Sequence, residues 1–232
     1  MLFRSGEAED YRNLGVISFQ RGEYTKAQEY HEKALGIHLK MGHRAEEAFE
    51  YVNLGACFKS LGNHDVAEDY LKKGLLLSKD IGHNLTEFRC LCNLAALRLL
   101  QFDFKEAFSY LYRCTDKFDT LRGFIKDSDQ IKVSLLEEHG AHTYQVLSWL
   151  LSSTGNPQGA LYVEELKRAR GLADLMAAQY SIKEQFSGNP QSWWGIQNII
   201  SKETDCTCLY ISVSKADEIG RASCRERVCQ YV

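Results

Sequence analysis

The sequence predicts an all-α helical solenoid of about four helix pairs, followed by the truncated start of an α/β module. Three observations predict this fold. The 232 residues include only two prolines, Pro157 and Pro190, and a proline inside a helix costs about 3 kcal/mol, so long helices are allowed almost everywhere. Apolar residues recur at spacings of three and four, which indicates amphipathic helices. The chain also matches itself at a period of 40 residues.

The repeat is clearest in a five-residue motif. Y-R-N-L-G at 11–15 recurs as Y-V-N-L-G at 51–55 and, in a looser form, as L-C-N-L-A at 91–95. Each unit is predicted to contain two helices separated by a turn, as at Arg21-Gly22-Glu23. Small residues at fixed positions are expected where the two helices approach closely. These residues are Gly15, Gly55, Ala95, Ala27, Ala67 and Ala107.

A fourth copy of the repeat is displaced. Y-Q-V-L-S at 144–148, followed by Gly155 and Ala160, restores the register 53 residues after the third copy instead of 40. An insertion of 13 residues accounts for the difference. We therefore expect three regular repeats over 1–118 and an extended fourth repeat over 119–182.

The pattern L-G, then G-x-Y/H-x-x-A, then Y-x-x-x-A-L resembles the tetratricopeptide repeat in a 40-residue form. It is similar to the repeats of the Pins-type spindle-orientation adaptors. The resemblance implies a non-enzymatic scaffold for protein–protein interaction. A partner peptide or helix is expected to bind in the concave groove, which the first helix of each unit lines.

After the fourth repeat, the sequence pattern changes from one that predicts helices to one that also predicts a strand. A β-branched, apolar run, C-T-C-L-Y-I-S-V at 206–213, predicts a buried strand. It follows A-L-Y-V-E-E-L-K-R-A-R-G-L-A-D-L at 160–175. This order resembles the entry to a CHAT domain, the caspase-like domain found after tetratricopeptide repeats. The resemblance implies that 183–217 is the truncated start of such a domain.

The alternative function is therefore the N-terminal part of a caspase-like CHAT cysteine peptidase. Such a peptidase needs a histidine in the same module to deprotonate its cysteine. The last histidine of the sequence is His142, before the module starts. We therefore expect no catalytic residues in this chain and do not expect it to be an enzyme.

The segment 218–232 departs from the rest of the sequence. E-I-G-R-A-S-C-R-E-R-V at 218–228 resembles one reading frame of a widely used sequencing-library adapter. We expect 218–232 to be an artefact tail and the natural protein to continue past Asp217.

Composition excludes several function classes. The sequence has 28 Lys and Arg residues and 31 Asp and Glu residues, so its net charge is −3. This balance does not indicate the basic surface that binds nucleic acid. The sequence shows neither a signal peptide nor a membrane span, so we expect a cytoplasmic protein that does not bind membranes. The eight cysteines are expected to be mostly buried thiols. We expect no metal site and no cofactor.

The repeat register assigns ten residues to the groove. They are Arg12, Asn13 and Val16 in the first unit, Phe49, Asn53, Ala56 and Lys59 in the second, and Arg89, Asn93 and Ala96 in the third. An asparagine recurs once per repeat, and its amide can both donate to and accept from the backbone of an extended peptide. The alternative is that each of these asparagines bonds to the backbone of the preceding repeat and only fixes the stacking.

Two arginines in this set, Arg12 and Arg89, have two interpretations. They are suited to recognise an acidic peptide through charge-assisted hydrogen bonds. The simpler interpretation is that both are solvated surface residues. A clamp for a terminal carboxylate is less favoured, because the family pattern needs Lys and Asn where this chain has Arg12 and Val16.

Overall fold

The computed structural model describes residues 2–124, 141–167, 209–212 and 227–230. These residues form eight helices and two short strands. The elements are α1 (Leu2–Gln20), α2 (Tyr24–Met41), α3 (Arg44–Ser60), α4 (His64–Asp80), α5 (Asn84–Leu100), α6 (Phe104–Phe124), α7 (Ala141–Ser153), α8 (157–167), β1 (Leu209–Ser212) and β2 (Arg227–Gln230). The chain divides into two compact units, Met1–Phe124 and Ile125–Val232.

Helix ends in the first unit recur about every 20 residues, at glycines in the left-handed conformation. Gly22, Gly42, Gly62 and Gly82 have φ between 70° and 79°, which an L-residue adopts only at a cost. After Gly62, the amide of Asn63 donates to the carbonyl of Phe58 at 2.9 Å and closes the last turn of α3. Phe102 occupies the corresponding position after α5, with φ 58°.

The helices pack as hairpins. α1 packs on α2, α3 on α4 and α5 on α6, and the hairpins join where α2 meets α3 and α4 meets α5. Close approach depends on the predicted small residues. A Cβ atom on Gly15 would lie 2.6 Å from His31, and one on Gly55 would lie 2.5 Å from Leu71. The predicted solenoid of repeated helix pairs is confirmed for these hairpins.

The core of the first unit is continuous along the inner sides of the hairpins. Its fully buried side chains include Leu54, Leu71, Leu94, Leu97 and Phe118. Burying a leucine or phenylalanine stabilises a fold by about 1.5–3 kcal/mol relative to exposure. This apolar interior holds the repeats in register.

The second unit contains a further helix pair. Tyr144 and Leu147 of α7 and Val163 of α8 are fully buried. Ser148 donates a hydrogen bond to the carbonyl of Ala160 at 3.3 Å, joining the two helices. The displaced motif at 144–148 therefore lies in the first helix of this fourth pair.

The strands form a two-stranded antiparallel sheet in which Leu209 pairs with Gln230. β1 lies within the strand predicted at 206–213, and β2 lies within the predicted artefact tail. The rest of 183–217 and of 218–232 lies outside the described residues, so the CHAT-like start and the origin of the tail stay predictions. In the described part of the chain, no helix is long and apolar enough to cross a membrane.

Candidate peptide-binding site

The ten predicted groove residues lie on α1, α3 and α5, the first helices of the three hairpins. We call this set the A-helix face. Contacts within it join all three helices: Arg12 and Arg89 both lie over the ring of Phe49, and Lys59 bonds to Asn93. Three further members, Val16, Ala56 and Ala96, are exposed or half-buried. Ala56 and Ala96 contribute only a methyl group each to this face.

Arg12 is neutralised within the protein. Its Nε donates to Glu50 Oε1 at 2.7 Å, and its Nη1 donates to Glu9 Oε2 at 3.1 Å. The side chain is only 17% exposed. Arg12 therefore joins α1 to α3 by an ion pair, and its charge is already matched by carboxylates.

Glu50 is fully buried at the junction of the first two repeats. Its other oxygen, Oε2, bonds to Nδ1 of the buried His31 at 2.7 Å. Burial alone would raise the pKa of Glu50, but the hydrogen bonds from His31 and Arg12 outweigh burial and lower it. Glu50 is thus an ionised acceptor shared by α1 and α2.

His38 extends this network. Arg12 Nη2 lies 3.2 Å from His38 Nε2, and a guanidinium only donates, so Nε2 is the acceptor and the proton is assigned to Nδ1. That Nδ1 is buried and has no hydrogen-bond partner among the residues that the structure describes. Burial, together with the nearby Arg12 charge, lowers the pKa of His38. The ring is held neutral.

Sequence reasoning did not identify Glu50, His31 and His38. The available signal was their place in the repeat: His31 and His38 replace Leu71 and Ser78, the residues 40 positions later on a buried helical face. Two histidines on a face that is otherwise apolar indicate a polar partner across the helix interface.

Arg89 differs from Arg12. Its guanidinium carbon lies 4.4 Å from the centroid of Phe49, within the range of a cation–π contact. The side chain is half-buried, and burial lowers its pKa. No carboxylate among the described residues forms an ion pair with Arg89. It lies against an aromatic ring and forms no direct ion pair in the described part of the chain, although the nearby charge of Glu50 partly offsets the effect of burial on its pKa.

Lys59 is a second cation of this kind. Its Nζ donates to Asn93 Oδ1 at 2.8 Å, and burial lowers its pKa. In the described ranges, Lys59 has no carboxylate within ion-pair distance. Asn93 in turn donates from Nδ2 to the carbonyl of Arg89 at 3.0 Å. One amide therefore fixes Lys59 beside the helical turn that carries Arg89.

The three asparagines of the predicted column have different environments. Asn13 is exposed and bonds to no other described residue. Asn53 is buried, and its Nδ2 lies 3.5 Å from Glu50 Oε2 in the same helix. Asn93 bonds to the side chain of Lys59 in the preceding repeat, whereas the stacking interpretation expects a bond to the backbone of that repeat. Peptide binding by this column of asparagines stays a prediction.

Two cysteines on α3 and α5 are buried thiols outside any disulfide in the described residues. Cys57 and Cys90 are buried, and burial raises the pKa of each to about 12, so neither is a thiolate at neutral pH. Within the described ranges, no three His, Cys, Asp or Glu side chains are grouped so as to hold a metal ion.

Comparison with known proteins identifies the repeats. The sequence profile described as "Tetratricopeptide repeat" matches residues 7–80 and again residues 48–119. Residues 7–119 therefore match the tetratricopeptide-repeat family. A comparison with curated protein sequences gives no significant match.

Two solved structures show the same fold. The crystal structure of BtubC (BKLC) from P. vanneervenii matches with a TM-score of 0.55 and 19% identity, over 78% of this chain and 68% of that one. Aspartyl phosphate phosphatase F from Bacillus subtilis matches with a TM-score of 0.51 and 12% identity, over 86% of this chain. This chain spans 57% of the length of the phosphatase.

Tetratricopeptide repeats are protein-interaction modules. The predicted resemblance to the tetratricopeptide repeat is confirmed by the profile match over residues 7–119.

Proposed function

We propose that the protein is a non-enzymatic interaction scaffold, and that the A-helix face of its tetratricopeptide repeats binds an acidic segment of a partner protein. The observation that carries the proposal is the pair Lys59 and Arg89. Both are half-buried cations on neighbouring first helices, and neither has a carboxylate partner among the described residues.

Partial removal from water raises the free energy of a cation that has no ion-pair partner. A carboxylate in contact with the cation lowers that free energy again. Hydrogen bonds to charged groups contribute about 1.5–3 kcal/mol. Arg89 offers a planar fork that pairs with a carboxylate through two parallel bonds, and Lys59 offers a point charge. An Asp or Glu side chain of a bound segment can pair with either donor.

The rest of the face suits a polypeptide better than a small anion. Phe49 supplies an apolar surface beside Arg89, and Ala56 and Ala96 leave space for a backbone to approach. Asn13, exposed and without a bond to another described residue, is free to pair with backbone groups of the segment. Arg12 has a different role from the one its sequence position suggests, because Glu50 and Glu9 already occupy its guanidinium.

The test is a selection of random displayed peptides against the full chain. We expect the selected peptides to share Asp or Glu at fixed positions, and their binding to be lost in the double variant Lys59→Gln/Arg89→Gln. The matched control is Lys40→Gln/Lys73→Gln, which removes the same net charge from exposed positions on α2 and α4. Peptides without acidic enrichment, or peptides that bind both double variants equally, would overturn the proposal.

The α/β module at 183–217 stays a second proposal, restricted to architecture. The support is that β1 falls inside the predicted strand at 206–213. Limited proteolysis with mass spectrometry of the full chain tests it: a protease-resistant core that includes 183–217 supports a folded module, and rapid cleavage throughout this range contradicts it.

A further inference from the structure

Two reduced thiols meet inside the third hairpin, α5–α6. Cys92 on α5 and Cys114 on α6 are both outside any disulfide, and Cys92 Sγ donates a hydrogen bond to Cys114 Sγ at 3.6 Å. A disulfide bond is about 2.0 Å long, so bonding requires the two sulfur atoms to approach by roughly 1.6 Å, shared between two side chains that each rotate about χ1. The pair is therefore placed for a covalent link between the two helices.

The first two hairpins do not carry such a pair. The corresponding positions, 40 and 80 residues earlier, hold no cysteine. They hold Arg12 and Ala34 in the first hairpin and Val52 and Gly74 in the second. A small residue on the second helix is common to all three hairpins and allows a close approach of the first helix. In the third hairpin alone, that small residue is a thiol and a second thiol lies opposite it.

Cys92 is the thiol of this pair that solvent reaches. Its side chain is half-buried, whereas Cys114 is fully buried. Burial, together with the hydrogen bond to Cys92, raises the pKa of Cys114, so Cys114 stays protonated at neutral pH. A small oxidant dissolved in water therefore meets Cys92 first.

Two cations lie close enough to Cys92 to interact with its charge. Burial lowers the pKa of Lys59, and negative charge on Cys92 acts in the opposite direction. Arg89 experiences the same two influences, and Cys90 and Glu50 also raise its pKa against burial. The nucleophilic form of a cysteine is the thiolate, and a neighbouring cation favours that form. The surroundings of Cys92 therefore suit attack on an electrophilic oxygen.

We propose that Cys92 and Cys114 are a peroxide-sensitive thiol pair, in which hydrogen peroxide oxidises Cys92 and Cys114 then closes a disulfide. The Cys92 sulfur attacks one peroxide oxygen, the O–O bond breaks, and the other oxygen leaves as hydroxide, which takes up the Cys92 proton to form water. Cys92 is then a sulfenic acid. Cys114 Sγ attacks this sulfur, the S–O bond breaks, and the hydroxyl group leaves with the Cys114 proton as a second water.

The two steps balance. The thiols together lose two electrons and two protons, and one molecule of hydrogen peroxide is reduced to two molecules of water. The product joins α5 to α6 covalently, and a dithiol reductant reverses it by thiol–disulfide exchange. Neither step involves a bound peptide, so the site is independent of the function proposed for the A-helix face.

Site-resolved oxidation of the full chain tests the pair. The reduced protein is treated with hydrogen peroxide, the remaining thiols are alkylated, and each cysteine is followed by mass spectrometry. We expect Cys92 and Cys114 to be lost together, in peptides linked by a disulfide that dithiothreitol reverses. Their loss should be about tenfold or more faster than that of the buried Cys57 and Cys90. Equal rates at all four cysteines, or a disulfide from Cys92 to any other cysteine, overturns the proposal.

Two variants taken from the other repeats test the order of the steps. Cys114→Ala introduces the residue of the first repeat, and we expect peroxide to leave Cys92 as a sulfenic acid that dimedone traps. Cys92→Val introduces the residue of the second repeat, and Cys114 should then react no faster than Cys57. The matched control is Cys57→Ala, which should leave the disulfide intact.

The variants also state what contradicts the assigned order. If Cys114 in the Cys92→Val protein reacts as fast as in wild type, Cys114 meets the oxidant by itself and the proposal is wrong. A Cys114→Ala protein that forms no dimedone adduct at Cys92 contradicts it equally.

Discussion

At the scale of single residues, Glu50 organises the first junction between repeats. It accepts bonds from Arg12 of one hairpin arm and His31 of the other, so a carboxylate that burial alone would disfavour stays ionised. Removing one member of such a buried group costs about 3–5 kcal/mol, because the remaining charge is left unpaired. The network therefore ties the stability of the first hairpin to that of the second.

His38 makes this junction sensitive to pH. Because its pKa is lowered in the folded state, the unfolded chain binds the proton first as the pH falls below about 6.5. Stability is then present above pH 6.5 and is lost as the pH falls toward the folded pKa. Protonation would also remove the acceptor for Arg12.

We therefore predict that wild type loses stability between pH 7 and 5 relative to His38→Gln, which does not titrate. The limiting slope of the difference is about 1.4 kcal/mol per pH unit, the value for one proton. Urea denaturation of both proteins at several pH values measures it. A difference that does not change with pH would show that His38 has the same pKa in both states.

Gly55 tests helix packing within one hairpin. A Cβ atom there would lie 2.5 Å from Leu71 Cγ and 3.3 Å from the carbonyl oxygen of Ala67. We predict that Gly55→Ala destabilises the fold by about 1–3 kcal/mol through overpacking. Gly36→Ala is the control: in the described part of the chain, no packing neighbour lies within 4 Å of a Cβ atom added there, so it should stabilise α2 by about 0.5–1 kcal/mol. Equal effects in thermal unfolding would contradict this account of the close approach.

At the scale of elements, the turns explain why the helix bounds were predictable. The sequence has glycine at four of the five left-handed positions of the first unit, and a glycine after an amphipathic segment is a strong sign of a helix end. The fifth position is Phe102, 78% exposed, with its ring against Phe104. It has no sequence signal of its own, and only the 40-residue register aligns it with Gly62.

Phe102 is expected to weaken the α5–α6 turn. A left-handed L-residue costs about 1–2 kcal/mol, and the partial contact with Phe104 recovers only part of it. We predict that Phe102→Gly raises stability by about 0.5–1 kcal/mol and that Gly62→Ala lowers it by about 1 kcal/mol. Chemical denaturation measures both. A loss of stability in Phe102→Gly would mean that the phenyl ring contributes more than the backbone strain costs.

At the scale of the whole molecule, the sequence predicted the hairpins well and the polar contacts poorly. The period of 40 and the small residues at fixed positions are local and repetitive, so the helix pairs follow from them. The Arg12–Glu50 pair joins residues 38 apart in sequence, and Glu50 has no acidic equivalent in the third repeat, where Cys90 stands. The pairing of each cation therefore depends on how the helices pack, and the sequence alone does not show it.

That distinction separates Arg12 from Arg89, which the sequence treated alike. Arg12 is paired within the fold, and Arg89 lies against Phe49 without a described carboxylate partner. The central claim is that Arg89 and Lys59 on the A-helix face bind a carboxylate of a partner segment.

The most direct test is a double-mutant cycle on one peptide selected by the full chain. Binding of the acidic peptide, and of its counterpart with Asn or Gln at the critical carboxylate, is measured by calorimetry for wild type and Arg89→Gln. We predict a coupling free energy of about 1–3 kcal/mol between Arg89 and the carboxylate. Additive losses with no coupling would contradict the claim and assign the peptide to another surface.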